Sequence, residues 1–175
     1  MLGINLLVGP PLAFGLTTDL TNDPAQVVRK YLSLDKRGAR LLAQSWEVLK
    51  PYISWTDEPV WGQVVVITDF TVADDVTQWN ILNSLEAVIP VRFRVVGIMQ
   101  WETATFLKEP RVEAIGVHIK AIENHWRIVG PQFPPHVGRK RLADFVRAAL
   151  LEETRPDRRA RLERLWNALE QAPSP

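Results

Sequence analysis

His125-Trp126-Arg127-Ile128-Val129-Gly130-Pro131 starts at a turn, runs as a short aromatic and β-branched stretch, and stops at Gly-Pro. It reads as the last strand of a β-rich middle. Immediately upstream, Glu123-Asn124-His125 is the turn, and Arg111 to Ile122 is the strand entering it. Val88 to Trp101 is a second long strand, and Lys108-Glu109-Pro110 between the two suits a hairpin connection. Trp61 to Val72, rich in Val, Ile and Thr, is a third strand closed by Asp74-Asp75, and Val76 to Leu82 a short fourth. Strands joined by short turns predict antiparallel pairing.

Helices flank this middle. Asp23 suits an N-cap, Pro24 a first helical position and Gln26 a capping box, and Val27, Val28, Tyr31, Leu32 and Leu34 form an apolar stripe that Gly38 ends or kinks. A second helix is predicted from Leu41 to Lys50, stopped by Pro51. After Pro134-Pro135, Leu142, Phe145, Val146, Ala149 and Leu150 fall at helical spacing. Thr154-Arg155-Pro156-Asp157 resembles a capping box, and Leu162, Leu165, Trp166 and Leu169 form the stripe of a last helix.

The chain of 175 residues is long enough for one domain with an appendage, and its 46% apolar and 23% charged composition is that of a globular protein. With 21 Lys and Arg against 20 Asp and Glu, the net charge of +1 provides no global attraction to nucleic acid. The absence of Cys excludes disulfides, thiolate metal sites and a Cys nucleophile. Met1 to Gly15 is apolar, too short to span a bilayer as a helix, and broken by Gly9-Pro10-Pro11. It reads either as a degenerate signal peptide or as an apolar arm, with an exported or periplasmic location favoured over a cytoplasmic one.

Val27-Val28-Arg29-Lys30-Tyr31-Leu32 resembles the opening helix of the nuclear transport factor 2-like, SnoaL-like superfamily, and His125 to Pro131 resembles its closing strand. The resemblance covers roughly Asp23 to Val137. It implies an α+β fold, a cone-shaped roll whose curved antiparallel sheet wraps N-terminal helices and often holds a pocket at its open end. Residues 1–22 would then be the arm or signal, 23–138 the roll, and 139–175 a C-terminal helical extension beyond it. The superfamily includes ketosteroid isomerases, polyketide cyclases, limonene epoxide hydrolases, dehydratases and many binding or assembly proteins, so the fold implies no single reaction. By the same resemblance a homodimer is expected. No catalytic motif of the superfamily maps onto this chain residue by residue.

Several side chains are candidates for chemistry, each with a plainer reading beside it. His118, in mid-strand, is a general base if it faces the cone, or else an exposed cross-strand partner. Asp69, near a strand end, is a base if buried at the cone mouth. Arg92 and Arg94 share one strand face and could contact an anion, although alternation with Val91, Phe93 and Val95 favours a solvated outer face. Trp46, Tyr52, Trp55, Trp61 and Trp101 could line a flat apolar ligand site or fill the core. The spacings of His118, His125 and His136 fit no metal motif, and no Gly-rich phosphate loop occurs, so neither metal nor cofactor is expected. Nine bases interspersed with six acids between Arg139 and Gln171 read as solvated helix faces.

The first expectation is therefore a non-catalytic domain binding a small apolar ligand or a partner protein. The alternatives are a small isomerase, dehydratase or hydrolase of the ketosteroid isomerase type, with His118 or Asp69 as base, and an assembly protein acting through its sheet face and C-terminal helices.

Overall fold

A computed structural model describes residues 23–172; the apolar stretch Met1 to Gly15 lies outside them. Helix α1 (Pro24–Lys36) opens where the Asp23 carboxylate accepts the Ala25 amide at 3.0 Å, and Pro24 occupies the first turn. It closes on Gly38, whose φ of +83° lets its amide reach the Asp35 carbonyl at 2.7 Å and the Ala39 amide reach that of Leu34 at 3.1 Å. The expected helix from Leu41 to Lys50 is instead two 3-10 turns, Ala43–Val48 and Lys50–Tyr52. Leu42 and Leu49, at their N-caps, have no side-chain oxygen to hold the first free amides.

The sheet comprises β1 (Gln63–Val72), β2 (Asn80–Asn83), β3 (Glu86–Gln100), β4 (Thr105–Ile122), β5 (His125–Gly130) and β6 (His136–Gly138). Their order is β5-β4-β3-β1-β6, with β2 beside β3. Every pairing is antiparallel except that of β6 with β1, so the sheet is mixed and not antiparallel throughout as expected. Three residues are too few for a period-2 signal. Of the predicted Val76 to Leu82 strand only Asn80 to Leu82 is extended, within β2, because Asp75 caps a 3-10 turn over Val76–Gln78.

Lys108-Glu109-Pro110 is not a connection. It lies inside β4, where Glu109 and Pro110 stand against Val96 alone in a bulge, and the chain reverses earlier, between Trp101 and Ala104. A bulge accommodates a proline that cannot donate to the ladder.

Bulges on β1, β3 and β4 also bend the sheet. At the β3 bulge Val95 and Val96 are both buried, and they belong to different cores. Val65, Ile67, Phe93 and Val95 face α1 together with Ile89, Ile119 and Ile128. Val64, Val66, Val96 and Met99 face the helical pair α2 (Arg139–Glu152) and α3 (Pro156–Gln171), meeting Leu142, Val146, Leu162, Leu165 and Leu169. Each such large side chain contributes roughly 1.5–3 kcal/mol on burial. The run Val64–Ile67 is apolar at every position because both of its faces are covered. Helix α3 starts without the expected capping box: Arg155 is the N-cap and no side chain caps it. The architecture is α+β, a strongly curled mixed sheet forming a half-barrel with helices at its N- and C-terminal sides.

Candidate functional site

A buried ionic clasp fixes the geometry where α1, β1 and β6 meet. Asp35 falls seven residues after Val28 on the apolar stripe of α1, so the helix carries its carboxylate into the core, where it is fully buried. One carboxylate oxygen accepts the His136 amide at 2.9 Å and faces the Arg40 guanidinium at 3.3 Å. Arg40, itself buried, donates to the Phe133 carbonyl at 2.6 Å and pairs with Glu58. Desolvation pushes the Asp35 carboxyl up to about 6 against the opposing pull of Arg40. Burial works against the Arg40 charge, but Asp35 and Glu58 hold the guanidinium above its usual range.

His136 completes the clasp. Its ring stacks on Phe93 at 4.2 Å between centroids, and its Nδ1 lies 2.8 Å from the Pro134 carbonyl oxygen. A carbonyl only accepts, so Nδ1 carries the proton, while Nε2 lies 3.7 Å from a Glu113 carboxylate oxygen. Burial lowers this imidazole to about 4, so it is neutral at physiological pH. The Tyr31 phenol beside them is pushed up by burial. These contacts tie the end of α1 to three irregular stretches: the turn after it, the loop through Glu58, and the Phe133–His136 approach to β6.

Because β6 runs directly into α2, the clasp also sets the walls of a groove. This groove, of about 1010 Å³, lies between α1, the second half of β1 and the first turn of α2. Arg29, Lys36, Arg37, Arg139, Lys140 and Arg141 line it, against the three carboxylates Asp69, Asp74 and Asp144. Lys36 donates to Asp69 at 2.9 Å, which holds the Asp69 carboxyl below its usual range, and its ammonium lies 5.8 Å from the centre of the Phe70 ring. Arg29 pairs with Asp74. Arg139 donates to the Leu169, Glu170 and Ala172 carbonyls at the end of α3. Arg141 Nε donates to the Arg37 carbonyl at 3.1 Å, joining α2 to α1. The exposed Arg37 and Lys140 form no ion pair among the described residues. The first turn of α2 therefore carries three cations and no acid, at the helix end where the backbone dipole already favours anions.

The structure does not bring the sequence-derived candidates together. His118 lies on the half-exposed outside of β4, its Nε2 2.7 Å from Glu86. Asp69 is exposed and held by Lys36. Arg92 and Arg94 lie on the solvent face of β3, beside Thr71 and Asp69, while Val91, Phe93 and Val95 are buried. Trp46, Tyr52 and Trp55 pack at the margin of the first core, where Trp55 meets Tyr31 edge-on at 6.4 Å. Tyr52 also lines a hollow of about 370 Å³ outside α1. Trp61 belongs to neither core. Trp101 lies in the second core, against Phe145 at 5.0 Å and beneath Arg158. Trp101 is therefore separated from Trp46, Tyr52 and Trp55, because the bulges turn the Trp101 end of β3 toward α2 and α3. Among the described residues, no three His, Asp or Glu side chains are placed to hold a metal ion, and no helix is long and apolar enough to cross a membrane.

Sequence reasoning missed the clasp and the groove. Asp35 had a signal, a carboxylate at the seventh step of an apolar stripe. Arg139-Lys140-Arg141 opening a helix was the signal for the groove. Glu58 lies in an irregular stretch and His136 opens a strand of only three residues, so neither had one. Compared with protein-family models, with curated proteins and with solved structures, the chain matches none.

Proposed function

We propose that this chain is a non-catalytic binding domain whose cationic groove receives an acidic ligand. The observation that carries the reading is the concentration of six Arg and Lys against three Asp around about 1010 Å³, in a chain whose net charge is only +1. Opposite charge in a concave, partly desolvated site attracts and orients a ligand more strongly than it would on an open surface. An apolar ligand inside the curl has less support, because Tyr31, Leu32, Phe93, Ile89, Ile119 and Ile128 occupy that space. An enzyme with His118 or Asp69 as base has less support too, since Asp69 is ion-paired with Lys36, His118 lies against Glu86, and the two are on different strands. We further propose that the curled sheet and α1 form a cone-shaped SnoaL-like roll. It is supported by α1 lying on the buried side of a bulge-curled sheet.

The test is titration calorimetry with hexaglutamate at low ionic strength. The Arg37→Glu, Lys140→Glu double variant should bind at least about tenfold more weakly than the parent, a loss of about 1.4 kcal/mol. Arg161→Glu, Arg164→Glu, which changes the net charge equally on α3, should bind like the parent. Equal weakening in both would mean that only net charge attracts the peptide, and the groove would lose its role.

A further inference from the structure

Strand β1 is covered along only half of its outer edge. Val65, Val66 and Ile67 pair with β6, whereas Thr68–Val72 has β3 on one side and the groove on the other. In an antiparallel ladder, alternate residues turn their backbone groups toward the neighbouring strand. The Ala73 amide donates to the Pro90 carbonyl at 3.0 Å, and the register sets Thr71 opposite Arg92 and Asp69 opposite Arg94. Asp69, Thr71 and Ala73 therefore bond to β3, and Phe70 and Val72 turn theirs toward the groove. The Phe70 amide lies against the Asp69 carboxylate. The Phe70 carbonyl and both polar backbone groups of Val72 have no hydrogen-bond partner among the described residues.

We infer that the groove takes an extended acidic peptide segment that adds to this edge as a further strand beside Thr68–Val72. The inference rests on the cationic-groove reading and specifies its ligand. The ladder would supply main-chain affinity, and alternate carboxylates, which all point to one face of the added strand, would meet Lys140 and Arg141 at the start of α2. Five residues of strand extend about 17 Å, at roughly 3.4 Å each. A second copy of this chain is disfavoured as the occupant because its edge would bring a second set of cationic walls against the first. Single-stranded nucleic acid offers the charge but no amide ladder.

The test uses the full chain with the peptide Glu-Val-Glu-Val-Glu-Val-Glu, blocked at both ends, and its equally charged analogue with Pro in place of each Val. Proline removes alternate donors from the added strand. The Val peptide should bind at least about tenfold more tightly. At saturation it should slow hydrogen exchange of the Val72 amide at least about tenfold, leaving Thr71 and Ala73 unchanged because β3 already protects them. Equal binding of the two peptides without protection at Val72 would overturn strand addition while leaving the groove reading intact. Failure of both peptides and of hexaglutamate would overturn the groove reading itself. Tighter binding of an oligothymidylate than of the Val peptide would overturn the choice of ligand class. A dimer in sedimentation of the free protein, with Val72 already protected, would assign the edge to a second copy and likewise overturn the inference.

Discussion

The buried pair Asp35 and His136 gives the protein two opposed pH dependences that conceal one another. The Asp35 carboxyl rises from 3.8 to about 6 on folding, so the stability it contributes is complete below pH 3.8 and lost as pH rises through 6. The His136 imidazole falls from 6.5 to about 4, so its contribution is complete above pH 6.5 and lost as pH falls through 4. At about 1.4 kcal/mol per pH unit, each change amounts to about 3 kcal/mol, with opposite sign. Between pH 4 and 6 the folded state holds its proton on Asp35 and the unfolded chain holds one on His136. The numbers bound are equal, and the parent should show almost no slope from this pair.

Single substitutions should uncover the two slopes. Relative to the parent, Asp35→Asn should gain about 3 kcal/mol as pH rises from 4 to 6, and His136→Leu should gain about 3 kcal/mol as pH falls from 6.5 to 4. The assay is urea unfolding followed by Trp fluorescence at half-unit pH steps, with each variant compared with the parent at the same pH. The comparison cancels groups elsewhere, such as Glu153, whose carboxyl its hydrogen bonds with Arg155 hold at about 2. A flat difference for Asp35→Asn would mean that Arg40 keeps Asp35 ionised despite burial, and the account of the clasp would be wrong. Two slopes of the same sign would be equally damaging.

Two further outcomes test the clasp and the curl. Arg40→Met removes the cation facing Asp35 and Glu58 and leaves buried carboxylates unpaired, so the urea midpoint should fall by an amount equivalent to about 3–5 kcal/mol. Gly97→Ala should be strongly destabilising, because a Cβ there would lie 2.1 Å from the Leu107 carbonyl oxygen at the bulge that separates the two cores; thermal unfolding by circular dichroism would show it, and an unchanged midpoint would contradict the close approach of β3 and β4.

The sequence by itself determined the elements whose signals are local. Asp23, Pro24 and Gly38 mark the ends of α1 because caps and a left-handed residue act within one turn. The long strands and the two C-terminal helices follow from period-2 and helical spacing, and Arg92 and Arg94 reach the outer face by the same alternation. Only the tertiary structure decided what those signals leave open. Pro110 reads as a turn residue, yet a bulge absorbs its missing donor within one continuous strand. Trp101 and Trp55 look alike in sequence, and the β3 bulge at Val96 turns the Trp101 end of the strand away from the core against which Trp55 packs. Asp35, Arg40, Glu58 and His136 meet across 101 residues of chain, and the open edge of β1 exists because β6 is only three residues long. Local pattern reports which face of an element is apolar, whereas the partner across that face is set by register and bulge position, which no short stretch encodes.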